Sequence, residues 1–318
     1  MSAGRPGVAA ALAVTLLAWP AAGLVAQTGE RDVYVTVLDK AGAPIRGLTE
    51  EYFAVREDGR DRALVRVQPL AGPAQIAVLV DTSSFIAAAA GPYRSAIDAF
   101  VKTLARDHKV ALYEFGERAN RVVAFTSDAA ELADGVGRLT ARASDVSRLL
   151  DAIDLACSDL RMAEARRPVI VSVSTGATDA STTTGGAVVK RLIQDAVSLH
   201  AVAVTNRATP AAPSLTSASG QSIPERQQRL VQVGATGEGE RERTQVLREG
   251  TAKTAGALHE VTTALAIGSA LDLVSAEIRN TYRVTYAREG SGRSRDLQIG
   301  LMLEDVVVRA IPAPWAKK

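Results

Sequence analysis

Cysteine is almost missing from this chain: Cys157 is the one example in 318 residues. No intrachain disulfide can form, so an apolar core must hold the fold. A nucleophilic thiol needs an activating histidine, and the three histidines, His108, His200 and His259, sit at or near apparent strand starts instead. Cys157 falls in the helical pattern Leu149, Leu150, Ile153, Ala156, Cys157, where a thiol serves as a small buried hydrophobe. Aromatic residues are scarce too, at 4% against 47% hydrophobic. The interior must therefore be built from Ala, Val, Leu and Ile, as in α/β proteins with buried parallel strands. Charge of one sign is not in excess either. Dispersed Lys and Arg (37) against Asp and Glu (35) leave no footprint for phosphate backbones, so nucleic acid is not an expected partner.

Catalytic signatures are lacking as well. There is no Gly-x-Ser-x-Gly elbow and no Gly-x-x-x-x-Gly-Lys-Ser/Thr phosphate loop. A phosphotransferase reading of Asp81 needs a second Asp two residues on, where Ser83 stands. The expectation is a protein that is not an enzyme.

What is present begins with one basic residue, Arg5, an apolar run from Val8 to Ala18, and small residues up to Ala26. That order predicts an export signal over 1–26, cut between Ala22 and Gln27, and too short to remain as a membrane span. The mature chain is expected in the periplasm or outside the cell, with no stable membrane span after cleavage.

Residues 30–70 read as a β-rich segment: Val33 to Leu38, Phe53 to Arg56 and Ala63 to Val67 alternate as strands, with turn residues between. Over 71–280 the texture changes. The continuous apolar run Gln75 to Val80 is that of a strand covered on both faces, and helices and strands then alternate. Helices are expected over Tyr93 to Ala105, Ala129 to Leu139, Ser147 to Ala163, Ala187 to Leu199, Glu242 to Ala255 and Ile267 to Arg279. Strands are expected over Lys109 to Phe115, Arg121 to Phe125, Val169 to Ser174, Ala201 to Val204 and Leu258 to Val261. This order predicts an α/β, doubly wound, mostly parallel sheet. Residues 205–241, rich in Ser, Thr, Gly, Pro and Gln, read as a long surface loop. Over 281–318, Tyr282 to Tyr286 and Asp296 to Arg309 alternate as a hairpin or a pair of longer strands. Neither β segment has enough strands to be stable alone, so 281–318 is expected to pack with 30–70 as one small β domain.

The run Gln75 to Val80 ends in Asp81-Thr82-Ser83-Ser84-Phe85, which places a carboxylate and hydroxyls at the carboxyl edge of a parallel sheet, where such sheets bind ligands. Hard oxygen donors of this kind suit Mg²⁺. These residues resemble the von Willebrand factor A domain, whose first strand ends in Asp-x-Ser-x-Ser. Its metal ion-dependent adhesion site is completed by a Thr from one loop and an Asp after a later strand. Asp81 and Ser83 match that pattern, and Phe85 stands at the second Ser position. The Thr position falls on Ser147, ahead of Leu149-Leu150-Asp151-Ala152-Ile153, and the late Asp position falls on Thr175. The resemblance thus implies a degenerate metal site of Asp81, Ser83 and Ser147, holding Mg²⁺ weakly or holding no cofactor; Asp179 is not expected to replace the missing carboxylate, since loop aspartates usually face solvent. Further, Gly42-Ala43-Pro44-Ile45-Arg46-Gly47-Leu48-Thr49, Tyr52 to Gly59, Arg279 to Tyr286 and Val306 to Ala310 resemble exported bacterial VWFA-related proteins of the Acidobacteria type. That likeness implies a cell-envelope or exterior module binding protein partners of unknown identity. The other reading is a structural envelope module without a working metal site, binding through its β domain or the 205–241 loop.

Overall fold

The computed structural model describes residues 28–83, 90–140, 146–205, 237–289 and 296–312. The export signal expected over 1–26, Phe85, and residues 206–236 of the expected loop lie outside them.

The strand at the centre of the molecule, β5 (Gln75–Asp81), is buried along nearly its whole length, as its unbroken apolar run requires. With β6 (Lys109–Phe115), β7 (Ala119–Thr126), β9 (Pro168–Ser174), β11 (Ser198–Val204) and β12 (Leu258–Val261) it forms a six-stranded sheet. The order is β12-β11-β9-β5-β6-β7. Every pair is parallel except β6 with β7, where a short connection turns the chain straight back.

Helices α1 (Ala90–Ala105), α2 (Ala129–Arg138) and α6 (Ile267–Arg279) cover one face. Their contacts with Val78, Val171 and Val202 form one core layer. The other face carries α3 (Leu149–Met162), α4 (Gly185–Gln194) and α5, a helical stretch over 237–253 with a π turn at Val246–Gly250. Here Leu79, Tyr113, Ile153 and Val188 make the second layer. Caps follow the sequence: Asp128 accepts from the N–H groups of Ala130 and Glu131 at the start of α2, as an N-cap aspartate does. Cys157 lies in α3, fully buried, and burial pushes its thiol up to about 12. It is packing, not chemistry.

The two chain ends build the rest. β1 (Thr28–Asp39) lies between β13 (Thr281–Glu289) and β15 (Val306–Pro312), and β4 (Leu64–Pro69) adds to β13. A second sheet, β14-β2-β3, joins β14 (Leu297–Leu301) to β2 (Phe53–Glu57) and β3 (Arg60–Arg62). Val33, Val35, Val37, Phe53, Val55 and Val284 fill the space between the sheets. The terminal segments therefore do form one small β domain.

Several elements differ from expectation: the helix expected to Leu199 ends at Gln194 and β11 begins at Ser198, Ser147 lies in a strand, and the stretch from Asp296 to Arg309 divides into β14 and β15. No hairpin joins β13 to β14: Leu297, Ile299 and Leu301 face the core only when β14 pairs with β2 in the second sheet. The helix expected from Glu242 already runs from residue 237, inside the expected loop.

Candidate functional site at the sheet rim

Asp81 closes β5 at the carboxyl rim of the sheet and is completely buried. A bare carboxylate there would be costly, and both its oxygens are engaged. Oδ1 accepts from the Ser83 N–H at 2.9 Å. Oδ2 accepts from the Thr175 N–H at 2.9 Å and from the Thr175 hydroxyl at 2.6 Å. Because the one Thr175 proton is spent on Asp81, the Ser83 hydroxyl, 3.1 Å from Thr175 Oγ1, donates to it. The result is a closed clasp between the ends of β5 and β9. Tyr93 on α1 adds a lid: its hydroxyl reaches the Asp81 carbonyl at 3.2 Å, and burial followed by the nearby Asp81 charge pushes its phenol well above the ordinary range.

The remaining predicted residues sit on the same rim in structural roles. Ser147 is buried in β8 (Val146–Ser147), a two-residue strand paired with β10 (Thr178–Asp179). Among the described residues, the partners of the Asp81 carboxylate are Ser83 and Thr175, not Ser147. Asp179 is committed elsewhere: Oδ2 accepts from the Leu149 N–H at 3.1 Å and Oδ1 from the Ser181 N–H at 2.8 Å. It caps α3, whose own preceding residue, Arg148, supplies no side-chain cap. Burial raises its carboxyl, opposed by the Ser181 and Leu149 bonds and the Arg243 charge.

Arg243 is the residue that motif reading missed. On α5 and nearly buried, it donates from Nη1 to the carbonyls of Thr175 and Ala177 at 2.9 and 2.8 Å. Beside it Glu242 accepts from the N–H of Gly185 at the start of α4. A Cβ on Gly239 would stand 2.0 Å from the Asp179 carbonyl, so only glycine allows that close approach. The first turns of α5 are thus pinned over the loop that carries Thr175. No sequence signal marks Arg243, because its partners are backbone carbonyls rather than side chains.

These residues do not fit a divalent cation of the adhesion-site kind. One carboxylate of the inherited cluster is present, it is held by three protein hydrogen bonds, and a hydroxyl stands where the resemblance places a second carboxylate, so the donor set carries too little negative charge to draw Mg²⁺ from its water. Among the described residues no group of three or more His, Cys, Asp or Glu side chains forms a ready cation cage.

Residues 76–177 match the family described as von Willebrand factor type A domain. No curated protein sequence matches the chain significantly. Among solved structures it is similar to a von Willebrand factor type A protein from Catenulispora acidiphila, at 10% identity and a TM-score of 0.47, over 91% of this chain and 67% of that one. It is similar to the conserved hypothetical protein BatB of Bacteroides thetaiotaomicron, at 16% identity and a TM-score of 0.44, over 64% and 97%. It is also similar to proximal thread matrix protein 1 of the mussel byssus, at 13% identity and a TM-score of 0.46, over 70% and 50%. The chain spans about half the length of that mussel protein.

Proposed function

We propose that this protein is an exported, non-enzymatic protein-binding module whose rim cluster is a structural clasp rather than a metal-dependent adhesion site. One observation carries the reading: Asp81, the one carboxylate of the inherited cluster, already holds three hydrogen bonds from Ser83 and Thr175, and a hydroxyl stands where a second carboxylate would be needed. Absence of a reactive constellation in the sequence and the von Willebrand A-type match over 76–177 support the non-enzymatic part. Export rests on the order of basic, apolar and small residues in 1–26. No helix among the described residues is long and apolar enough to cross a membrane.

The second reading, binding through the β domain or the 205–241 loop rather than through the rim, is supported by burial. Asp81, Ser83, Ser147, Thr175 and Asp179 are all buried, so a partner reaches none of these side chains without opening the rim. Thermal melts in Mg²⁺, Mn²⁺ and EDTA test the clasp. The expected outcome is one Tm in all three solutions, since a cation bound only by the native state would raise it. A Tm that rises in Mg²⁺ and falls back in EDTA restores the adhesion-site reading.

A further inference from the structure

The large sheet and the two sheets of the β domain each end in two edge strands, and an edge leaves a row of backbone N–H and C=O groups open to another chain. Among the described residues most of these edges are guarded. On β7 the Val122 carbonyl accepts from Arg138 Nη2 at 3.2 Å, and on β4 the Val67 N–H donates to Glu50 Oε1 at 3.3 Å. β3 is three charged residues long, and β12 has only four residues, with Glu260 among them. The exceptions are β14 and β15. β14 reads Leu-Gln-Ile-Gly-Leu, with no charge and no proline. β15 turns its one charge, Arg309, onto Glu277 at 3.0 Å and meets proline only at its last residue.

The two open edges are neighbours. Residues 302–305 join them, and β14 lies beside β15 on one flank of the β domain. Along that flank the apolar layer comes to the surface. Val33, Val35 and Val37 on β1 are fully buried, whereas Leu297, Ile299 and Leu301 of β14 and Val306 and Val308 of β15 are partly exposed. The backbone of β14 is aimed the same way. The Asp58 N–H donates to the Asp296 carbonyl and the Met302 N–H to the Tyr52 carbonyl, so the even-numbered residues of β14 bond to β2. Leu297, Ile299 and Leu301 therefore turn their N–H and C=O groups outward.

We propose that this flank joins two copies of the chain, β14 pairing antiparallel with β14 of the second copy about Ile299. The strand has the same apolar order read from either end. Leu297 thus meets Leu301 of the second copy and Ile299 meets its own counterpart, as a two-fold contact requires. An extended peptide would satisfy one edge and leave the other bare. A second copy serves both, because the same two-fold axis sets β15 against β15. The charge order of the sequence also fits. Arg293 and Arg295 outnumber Asp296 just before the core of β14, and Glu304 and Asp305 follow it, so antiparallel copies bring opposite signs together.

Sedimentation equilibrium of the full chain over about 1–100 μM, a range suited to a small edge-to-edge contact, tests this. The mass is expected to rise to twice that of one chain. In the proposed register residue 298 of one copy stands opposite residue 300 of the other. Both are exposed, and a Cβ on Gly300 meets only ordinary contacts with Ala54. Gln298→Lys with Gly300→Lys sets like charges across the pair and is expected to leave a monomer. Gln298→Glu with Gly300→Lys sets opposite charges there and is expected to restore the dimer. A wild-type chain that stays monomeric throughout the range overturns the proposal, and so does a dimer that the two lysines leave intact. If the lysine variant fails to fold, hydrogen exchange of the wild type decides. The amides of Leu297, Ile299 and Leu301 are expected to slow by about tenfold or more as concentration rises, and unchanged rates overturn the contact. The clasp and the binding of other partners are separate matters, and a monomeric chain leaves both standing.

Discussion

At Asp81 a fully buried carboxylate meets three donors, two of them from Thr175. Bonds to a buried charge are among the stronger ones, and a partner left unpaired costs its full desolvation. Thr175→Val keeps the shape and removes the hydroxyl, stranding Ser83 Oγ and weakening the hold on Oδ2. Urea unfolding is expected to show a loss of about 1–3 kcal/mol, with Thr175→Ser close to wild type. Thr175→Asp sets a second carboxylate against the first, which lowers stability at neutral pH until a cation or proton intervenes. That variant alone is expected to gain Tm in Mg²⁺. The sequence made half of this legible: Asp81 and Ser83 stood out by following a buried strand. The bond from Thr175 did not, because its position reads as a lost ligand until both loop ends are seen together.

Among elements, the helix α5 shows what pattern reading misses. Its amphipathic middle was legible, but its first turns hold Arg243 on the carbonyls of Thr175 and Ala177, an arrangement with no periodicity to detect. Arg243→Met leaves those two buried acceptors unpaired. The amide of Thr175 is then expected to exchange its hydrogen faster while global stability falls by about 1–3 kcal/mol. Just after α5 the chain passes so close to β11 that a Cβ on Gly256 would lie 1.7 Å from the Leu199 carbonyl. Gly256→Ala must push β11 or α5 aside, and a loss of more than about 2 kcal/mol is expected in the same unfolding assay. The order of strands and helices was readable from apolar runs and turn residues. The pairing of β14 with β2 was not, since alternation marks a strand but not its neighbour.

For the whole molecule, pH acts where the two domains meet. His108 is buried, and its Nδ1 accepts from the N–H of Ala74, where the chain leaves the β domain for β5. Burial first, then the Arg167 charge, lowers its imidazole below the ordinary value. The unfolded chain therefore takes up a proton that the folded one refuses. This contribution to stability is complete above about pH 6.5 and is lost as the pH falls from there through the folded value. Denaturation midpoints measured between pH 7.5 and 5 are expected to decline, and His108→Gln to flatten the decline.

The β domain has one more consequence. Thr36 of β1 meets Thr281 of β13 across 245 residues of sequence. A growing polypeptide thus carries Val33, Val35 and Val37 without their proper neighbours until β13 and β15 have been made. Closing so long a loop is slow, and the waiting apolar strand invites mispairing with other chains. The earliest part of the layer to be made is the last to be secured.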